Sequence, residues 1–339
     1  MERPELSIII PIYNEAAVID ELKRRLGQAM ATLGSQVKSW EVLFIDDGSK
    51  DESLAMLRQL AAEEPRYKVI AFARNFGHQM AITAGIDLAE GDAVVIMDAD
   101  LQDPPEVVVE MIARWREGFD VVYGVRRSRA GESLFKKATA ALFYRVLNAM
   151  LGVKIPVDAG DFRLISRPVV LTLRALRERH RFVRGMVAWI GFKQSALYYD
   201  REARFAGETK YPLSKMVRFA IDAITSFSIL PLRLASWLGA GVAMVAIVYA
   251  LYVVYVKVFQ GGLVQGWTTL MIAVALGTSA QLFMIGILGE YVGRIYEEIK
   301  RRPLYITAEK LNFSTDDVGP SSRHYVPPHA TVGSADDRA

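Results

Sequence analysis

Residues 5–125 alternate short apolar runs with amphipathic segments. Five runs rich in β-branched and aromatic residues predict β-strands at 6–12, 40–46, 67–73, 93–98 and 119–124. Between them, apolar residues recur at helical spacing, most regularly over 16–33 and 51–62. Strands that are apolar almost throughout and separated by helices are typical of a parallel sheet covered on both faces. We therefore predict a Rossmann-like α/β domain with a mostly parallel sheet, in which ligands bind beyond the carboxyl ends of the strands.

Beyond residue 126 the pattern is mixed. It predicts a helix around 133–150, a short strand near 162–165 and another near 193–199. In segment 213–229, Lys215 and Arg218 fall on one stripe and large apolar residues fall on the opposite side. Such a helix could pack against a protein core, but its position directly before a long apolar stretch favours the membrane interface.

Two long uncharged stretches, 234–256 and 258–289, follow this segment. As a helix rising about 1.5 Å per residue, the first would reach roughly 34 Å, enough to cross a hydrocarbon core of about 30 Å. The alternative is a pair of buried core helices, which are seldom so long without interruption. The break between the two stretches contains Gly261, Gly262 and Gly266, so the two spans would form a hairpin.

Basic residues flank the outer ends of this hairpin. Arg233 precedes the first span and Arg294 follows the second, whereas only Lys257 lies near the connecting loop. Because basic flanks mark the cytoplasmic side, both outer ends should be cytoplasmic. The predicted order is a cytoplasmic catalytic domain (1–212), an amphipathic interfacial helix (213–230), a transmembrane helix (231–257), a short non-cytoplasmic loop (258–266), a second transmembrane helix (267–292), a cytoplasmic juxtamembrane segment (293–313) and a disordered tail (314–339).

Composition argues against several other classes of protein. The 41 Lys and Arg residues nearly balance the 38 Asp and Glu residues, so a net charge of +3 gives no reason to expect nucleic-acid binding. The absence of cysteine excludes disulfides, thiolate metal sites and a cysteine nucleophile. The first residues lead directly into an apolar strand, so we expect no signal peptide.

Polar motifs follow three of the predicted strands at what should be one edge of the sheet. They are PIYNE at 11–15, DDGS at 46–49 and DADLQD at 98–103. Polar residues at strand ends often cap the next helix, but capping needs one residue per helix, and here carboxylates come in pairs. Asp98 and Asp100 would project to one side of an extended chain. Two such hard oxygens suit Mg²⁺ or Mn²⁺, with Gln102 as a further ligand or a neighbouring partner.

The sequence contains no glycine-rich phosphate loop of the GxxxxGK[ST] type. The charge of a bound phosphate would therefore have to be neutralised by a metal ion and by basic side chains. The candidates are Arg126, Arg127, Arg181, Arg184, Arg204 and Lys210.

These motifs together resemble those of family 2 glycosyltransferases with the GT-A fold. The resemblance rests on IPIYNE, IDDGSKD, ARNFGH, MDADLQDPPE, GDFRLISR, RFVRG and RFAGETKY in this order, and covers roughly residues 5–310. Within the family, the chain is similar to the branch of dolichyl-phosphate mannose synthases and bactoprenol glucosyltransferases. The hairpin followed by GEYVGRIYEEIKRRP resembles the bacterial subgroup with two transmembrane helices.

The resemblance implies a role for each matching residue. The nucleotide pocket would be lined by Pro11, Tyr13 and Glu15, with Asp46 and Asp47 near the base and ribose. Asp98 and Asp100 would hold the metal and the diphosphate, with Gln102 beside them. Asp161 would be the acidic residue on the acceptor side of the anomeric carbon.

Basic residues around the donor and acceptor phosphates are implied in the same way. Arg126, Arg204 and Lys210 match the family's bases, and Arg163, Arg181 and Arg184 are further candidates for phosphate or acceptor binding. Two positions depart from the family pattern, since Thr209 replaces a usual Ser and His78 stands where Lys is common.

The implied function is an inverting transfer of a sugar from a nucleotide sugar to a polyisoprenyl phosphate, at the cytoplasmic face of a bacterial plasma membrane. UDP-glucose and undecaprenyl phosphate are the first choice, with GDP-mannose and modified UDP-pentoses as alternative donors. The resemblance also implies dependence on Mg²⁺ or Mn²⁺ and a homotetramer. The acceptor phosphate, with a second pKa of about 6, is mostly ionised at pH 7 and needs no general base. We therefore expect Asp161 to orient the sugar or a nearby arginine.

Three other functions share some of these features. A processive polysaccharide synthase would carry a QxxRW motif and more spans, but 181–189 has neither the Gln nor the Arg-Trp pair. A membrane protein that binds a nucleotide sugar without catalysis would not need the full set of acidic residues. A soluble nucleotidyltransferase would not need the apolar hairpin.

Overall fold

The computed structural model describes residues 3–34, 36–127, 159–200, 230–259 and 266–313. Several predictions therefore lie outside the described residues: the helix around 133–150, Arg204, Lys210, the interfacial helix, most of the hairpin loop and the C-terminal tail. The described chain forms one eight-stranded sheet covered by helices, together with two long apolar helices. The strand order is β7-β5-β6-β4-β1-β2-β3-β8.

Four parallel strands form one half of this sheet. They are β1 (Leu6–Ile12), β2 (Trp40–Asp46), β3 (Tyr67–Phe72) and β4 (Ala93–Ile96), connected by α1 (Ala16–Leu33), α2 (Ser53–Glu63) and α3 (His78–Leu88). Their residues are almost all buried, as expected where helices cover both faces of a sheet. The predicted α/β class is confirmed, and the carboxyl ends of these strands meet at one edge.

The other half of the sheet is mixed. A short 3₁₀ helix (Pro105–Val107) and α4 (Val108–Arg116) lead to β5 (Val121–Arg126), and β6 (Ala159–Ser166) is followed by α5 (Arg167–Ala175), α6 (Val183–Trp189) and β7 (Gln194–Tyr199). Strand β6 pairs antiparallel with both β4 and β5. Because Ile96 at the end of β4 pairs with Arg163, Asp161 lies at the same edge as the residues that follow β4.

A strand that the sequence analysis did not predict completes the sheet. This strand, β8 (Thr307–Leu311), pairs antiparallel with β3. It lies within residues 293–313, which we predicted to be a cytoplasmic juxtamembrane segment. Tyr305, only 2% exposed, stacks on Phe72 with ring centroids 5.1 Å apart. The Asn312 amide donates to the carbonyls of Ala61 and Tyr67 at 2.7 and 2.8 Å. The chain that follows the hairpin is therefore anchored in the core of the α/β domain.

The two long helices are α7 (Leu230–Phe259) and α8 (Trp267–Ile299). Each contains a 30-residue candidate span, with mean hydropathy values of 2.2 and 2.0, and the most apolar window of each is 0% buried. By length and composition both could cross a membrane. They approach each other at Gly239, where an added Cβ would lie 3.3 Å from Sδ of Met284.

Helix α3 packs close to β1 because Gly85 has no side chain. A Cβ at this position would lie 2.2 Å from Cγ2 of Ile9, a fully buried residue with a stiff, branched side chain. Because α3 begins at His78, this close contact also fixes the position of His78 relative to the carboxyl end of β1.

We predict that Gly85→Ala lowers the thermal unfolding midpoint of the full-length protein in detergent. Overpacking costs about 1–3 kcal/mol, whereas alanine in a helix returns only about 0.5–1 kcal/mol. The matched control is Gly27→Ala in α1, an exposed position with nothing within 4 Å of an added Cβ, which should raise the midpoint. A rise for Gly85→Ala would contradict the close packing of α3 on β1.

Candidate active site

The loops after β1 and β2 hold each other in place at the carboxyl edge. The Oγ of Ser49 accepts a hydrogen bond from the Asn14 N–H at 3.0 Å, and the Oδ1 of Asn14 accepts one from the Lys50 N–H at 2.8 Å. Asn14 has a φ of 55°, a left-handed conformation that asparagine tolerates better than most residues. The polar residues of both motifs therefore shape these loops, whatever else they bind.

The predicted nucleotide-binding residues lie on or next to these two loops. Pro11 is buried within β1, and Tyr13 is 43% exposed beyond the end of that strand. Glu15 is half-buried, and its N–H donates to Oγ of Ser53 at 2.9 Å. Asp46 is 1% exposed. Of this group, Tyr13 offers the largest open surface to a ligand.

Asp47 is only 3% exposed and organises a third loop at this edge. Its carboxylate accepts hydrogen bonds from the N–H groups of Phe76 at 2.6 Å and Gly77 at 2.9 Å. Burial raises the pKa of Asp47, although these two donors act in the opposite direction. Asp47 thus fixes the loop that leads into α3, and any contact with a nucleotide would be an additional role.

The residues after β4 form a cluster of carboxylates. The side chain of Asp98 is 35% exposed, while Asp100 is 7% exposed and its Oδ1 accepts from the Gln102 N–H at 3.1 Å. Desolvation raises the pKa of Asp98 to about 6; His78 opposes this shift, and the charges of Asp161, Asp103 and Asp100 add to it. The site thus concentrates negative charge that a cation would relieve.

The carboxylates of this cluster are of the kind that bind a divalent cation. Within the part of the chain that the structure describes, no group of three His, Asp or Glu side chains is arranged to hold a metal ion. Asp98 and Asp100 nevertheless supply carboxylate oxygens two residues apart, and the side chain of Asp98 is 35% exposed. This donor set fits an ion such as Mg²⁺ or Mn²⁺ that takes its remaining ligands from water and phosphate.

His78, the first residue of α3, joins two of the carboxylates. Its Nε2 lies 3.5 Å from Oδ1 of Asp98 and 3.3 Å from Oδ2 of Asp161, and its side chain is 44% exposed. Desolvation alone would lower the pKa of His78, but the two carboxylates raise it to about 9. His78 departs from the family pattern and was not among the predicted site residues.

Asp161 is held by partners on both carboxylate oxygens. Arg184 Nη2 lies 3.3 Å from Oδ1, and Oδ2 accepts from Gln79 Nε2 at 3.4 Å besides facing His78. Burial by itself would raise the pKa of Asp161, but Arg184 and His78 together lower it far below its usual range. Gln79 was not among the predicted site residues, and its position directly after the ARNFGH motif was the only signal for it.

Arg126 and Tyr199 meet at the buried carboxylate of Asp103. The Tyr199 hydroxyl donates to Asp103, and Arg126 Nη2 lies 3.9 Å from the same oxygen. Burial and the neighbouring Asp103 raise the pKa of Tyr199. Among the described residues, the Nε atoms of both Arg126 and Arg184 are buried without a hydrogen-bond acceptor. Each of these side chains is also 19% exposed, so part of each guanidinium group faces the site.

Comparisons with known proteins identify the family of this chain. The model of "Glycosyl transferase family 2" matches residues 7–173, and that of "GtrB C-terminal hairpin" matches residues 230–295. A Bacillus subtilis (strain 168) protein named "Uncharacterized glycosyltransferase YkcC" is 50% identical over 89% of this chain and 93% of its own length. The chain belongs to glycosyl transferase family 2. The resemblance found in the sequence is thereby confirmed, as is the glycosyltransferase class of enzyme.

Other family 2 relatives cover most of the chain as well. The "Prophage bactoprenol glucosyl transferase homolog" of Escherichia coli (strain K12) is 38% identical over 89% of this chain and 98% of its own length. Among solved structures, the chain is similar to glucosyl-3-phosphoglycerate synthase from Mycobacterium tuberculosis, solved in complex with Mn²⁺, UDP-glucose and phosphoglyceric acid. The match has a TM-score of 0.44 and 18% sequence identity, and it covers 66% of this chain and 78% of that one. The hairpin match, together with the two apolar helices, indicates membrane association.

Two of the predicted phosphate-binding arginines of this family 2 protein make buried contacts with backbone. Arg163 is 3% exposed and donates to the carbonyls of Gly160 at 2.8 Å and Asp161 at 3.3 Å, and burial lowers its pKa to about 10. Arg181 is 6% exposed and donates to carbonyls of Leu173 and Leu176 around the end of α5. Their described contacts support the backbone of the site, and a role for either in binding phosphate stays a prediction.

We predict that Tyr199→Phe destabilises the full-length protein because the buried carboxylate of Asp103 loses a donor. Leaving a buried acceptor without its partner costs about 1–3 kcal/mol, more when it is charged. Tyr198→Phe is the matched control, since Tyr198 lies next to it on β7 and is 57% exposed. The measurement is the thermal unfolding midpoint in detergent. Equal midpoints for the two variants would contradict the role of the Tyr199 hydroxyl.

Proposed function

We propose that this protein transfers a sugar from a nucleotide sugar to a polyisoprenyl phosphate, with UDP-glucose and undecaprenyl phosphate as the first choice. The observation that carries the proposal is that one chain combines an acidic and basic cleft with an apolar hairpin. A cleft with paired carboxylates and unused guanidinium donors suits a nucleoside diphosphate, and a hairpin suits an acceptor that stays in the bilayer. Relatives named as bactoprenol glucosyl transferases, 37–38% identical over 89% of the chain, support this acceptor.

The basic residues of the cleft support binding of two anions. Arg126 lies beside Asp103, and Arg184 lies beside Asp161, so each carries a positive charge into a region rich in carboxylates. Their buried Nε atoms have no acceptor among the described residues. Each arginine side chain is also 19% exposed, and phosphate oxygens that met this exposed part would form charge-assisted bonds, which are about twice as strong as neutral ones.

A divalent cation would be held by Asp98 and Asp100, with Gln102 beside them. When bound, such an ion stabilises the negative charge that develops on a departing diphosphate. Without it, the donor diphosphate would face the carboxylates of Asp98, Asp100 and Asp161 directly. We therefore propose that transfer depends on Mg²⁺ or Mn²⁺.

The proposed step is a single displacement. An oxygen of the acceptor phosphate attacks the anomeric carbon of the donor sugar and forms a new C–O bond. The bond between that carbon and the diphosphate oxygen breaks on the opposite face, so the configuration inverts and the nucleoside diphosphate leaves with the electron pair. The acceptor oxygen is already ionised, so no proton has to be removed.

This step assigns an orienting role to Asp161. Each of its carboxylate oxygens already has a cationic or amide partner at 3.3–3.4 Å. A carboxylate engaged in this way is a poor proton acceptor, but it holds Arg184 and His78 in fixed positions on one side of the cleft. Location in the bacterial plasma membrane is part of the same proposal and follows from the family resemblance, while the cytoplasmic position of the catalytic domain rests on the basic flanks of the hairpin. The homotetramer and the domain boundaries stay predictions.

We expect membranes that contain the full-length protein to form a sugar-linked lipid from UDP-glucose and undecaprenyl phosphate. A panel of UDP-glucose, GDP-mannose and UDP-pentoses, each with the same acceptor, identifies the donor through extraction of the lipid product. A water-soluble polymer, or retention of nucleotide sugar without any product, would contradict the proposal and favour a polysaccharide synthase or a non-catalytic binding protein respectively.

The same assay contains its controls. Asp100→Ala should abolish product formation, and excess chelator should abolish it in the unaltered protein until Mg²⁺ or Mn²⁺ is restored. Full activity in excess chelator would refute the metal requirement without affecting the proposed substrates.

We predict that Asp161→Asn lowers kcat about tenfold, the size of effect expected when a group at the reacting centre is misplaced. Loss of a general base would instead lower kcat by about 10³-fold or more with unchanged substrate binding, which would contradict the orienting role. Asp120→Asn is the control because Asp120 contacts Ser166 at the far end of β6 from Asp161. Its kcat should match that of the unaltered protein.

A further inference from the structure

We propose that Glu297 and Glu298, near the end of α8, are positioning residues for the Arg184–Asp161 pair. They would act through the segment between α5 and α6, residues 176–182, which we call the α5–α6 loop. The inference rests on the proposed function, because it concerns the same reacting centre. A continuous series of contacts links α8 of the apolar hairpin to Asp161.

The first contacts join the α5–α6 loop to α8. The Arg179 N–H donates to the Glu298 carboxylate at 2.6 Å. The His180 Nε2 lies 2.9 Å from Oε2 of Glu297, and the Arg179 Nε lies 3.6 Å from the same oxygen. Two successive loop residues are thus bound to two successive carboxylates, so the loop cannot shift along the helix without breaking both contacts.

The beginning of the loop is fixed separately. Arg177 Nη1 lies 2.8 Å from Oδ2 of the buried Asp87 on α3, and the Tyr305 hydroxyl donates to the same oxygen at 3.0 Å. Tyr305 lies in the connection from α8 to β8 and is itself buried. The α5–α6 loop is therefore held at Arg177 by the domain core and at Arg179 and His180 by α8.

The end of the loop leads directly to the reacting centre. Only Arg181 and Phe182 separate His180 from Val183, where α6 begins. The Val183 N–H donates to Oε1 of Gln79 at 3.0 Å, and Nε2 of the same amide donates to Asp161 at 3.4 Å. Arg184 then reaches the other oxygen of Asp161 at 3.3 Å. A displacement of His180 would thus move the start of α6 and with it both partners of Asp161.

The contact between α8 and the loop is polar, with little dense packing around it. A cavity of about 360 Å³ lies here, lined by His180, Glu290, Arg294, Glu297, Lys300 and the glycine side of the helix. Gly289 and Gly293 have nothing within 4 Å of an added Cβ. With open space on this side, the position of the loop relative to α8 depends on the contacts of Arg179 and His180 with Glu297 and Glu298.

The test compares three full-length variants in lipid nanodiscs. Glu297→Ala with Glu298→Ala removes both carboxylates, whereas Glu297→Gln with Glu298→Gln keeps side chains of the same length and an amide oxygen at position 298 that can accept from the Arg179 N–H. Glu290→Ala is the matched control, because Glu290 lies on the same helix and cavity but pairs with Arg294 one turn along at 3.0 Å. We measure kcat, the KM for donor and acceptor, UDP affinity and the thermal midpoint.

The double alanine variant should lose about tenfold in kcat, since small misplacements at a reacting centre cost up to about 10²-fold. Its UDP affinity should stay within about twofold, because the loops after β1 and β2 are not touched. The double glutamine variant should recover most of kcat, and Glu290→Ala should match the unaltered protein. An unchanged kcat in the double alanine variant would overturn the inference. So would a parallel fall in kcat, UDP affinity and thermal midpoint, which marks a purely structural contact.

Hydrogen exchange without substrates separates this inference from the proposed function. Faster exchange over residues 176–189 in the double alanine variant, and not in Glu290→Ala, would support the positioning role even if no donor on the panel were transferred. Unaltered exchange in that segment would overturn it, whatever the substrate is. Failure of the unaltered protein to form a lipid product would count against the proposed function alone.

Discussion

Strand β6 runs antiparallel to β4, and the site depends on this pairing. In a sheet of parallel strands only, the first residues of β6 would lie at the opposite edge from those that follow β4. The pairing of Ile96 with Arg163 instead brings Asp161 beside Asp98, although the two are far apart along the chain. The pairing also adds the carboxylate of Asp161 to an edge that already holds Asp98, Asp100 and Asp103, so it increases the negative charge there.

The surrounding residues balance that charge unevenly. Asp161 has Arg184, His78 and Gln79 as partners, and Asp103 has Arg126 and Tyr199. The carboxylate of Asp98 is more exposed than either and is partly desolvated. In the proposed function, a cation would compensate the negative charge near Asp98, and the donor phosphates would meet the two arginines. Under that proposal the metal and the donor would favour each other's binding.

The sequence predicted the parallel half of the sheet and the carboxyl-edge motifs well because both follow from local patterns. Strand runs of apolar residues and polar residues directly after them need no knowledge of distant contacts. It did not predict β8, since TAEKL mixes charged and apolar residues and becomes a strand only because β3 offers a free edge. Nor could it tell Arg184 from Arg181. Both belong to one basic segment, but one turns toward Asp161 and the other toward carbonyls at the end of α5.

The route of the chain after α8 gives the hairpin a firm connection to the cleft. A membrane anchor joined by a loose linker would tether the enzyme without affecting the geometry of its site. Here the chain that leaves α8 after Ile299 leads to Tyr305, which contacts Asp87 on α3, and then to β8, which completes the sheet beside β3. Helix α3 in turn begins at His78 and Gln79, two of the partners of Asp161. The end of α8 therefore reaches the same carboxylate by two physical paths, through α3 and through the α5–α6 loop. An enzyme that must meet a lipid phosphate at a fixed height above a membrane gains from such a connection, because the position of the helix then also defines the position of the reacting groups.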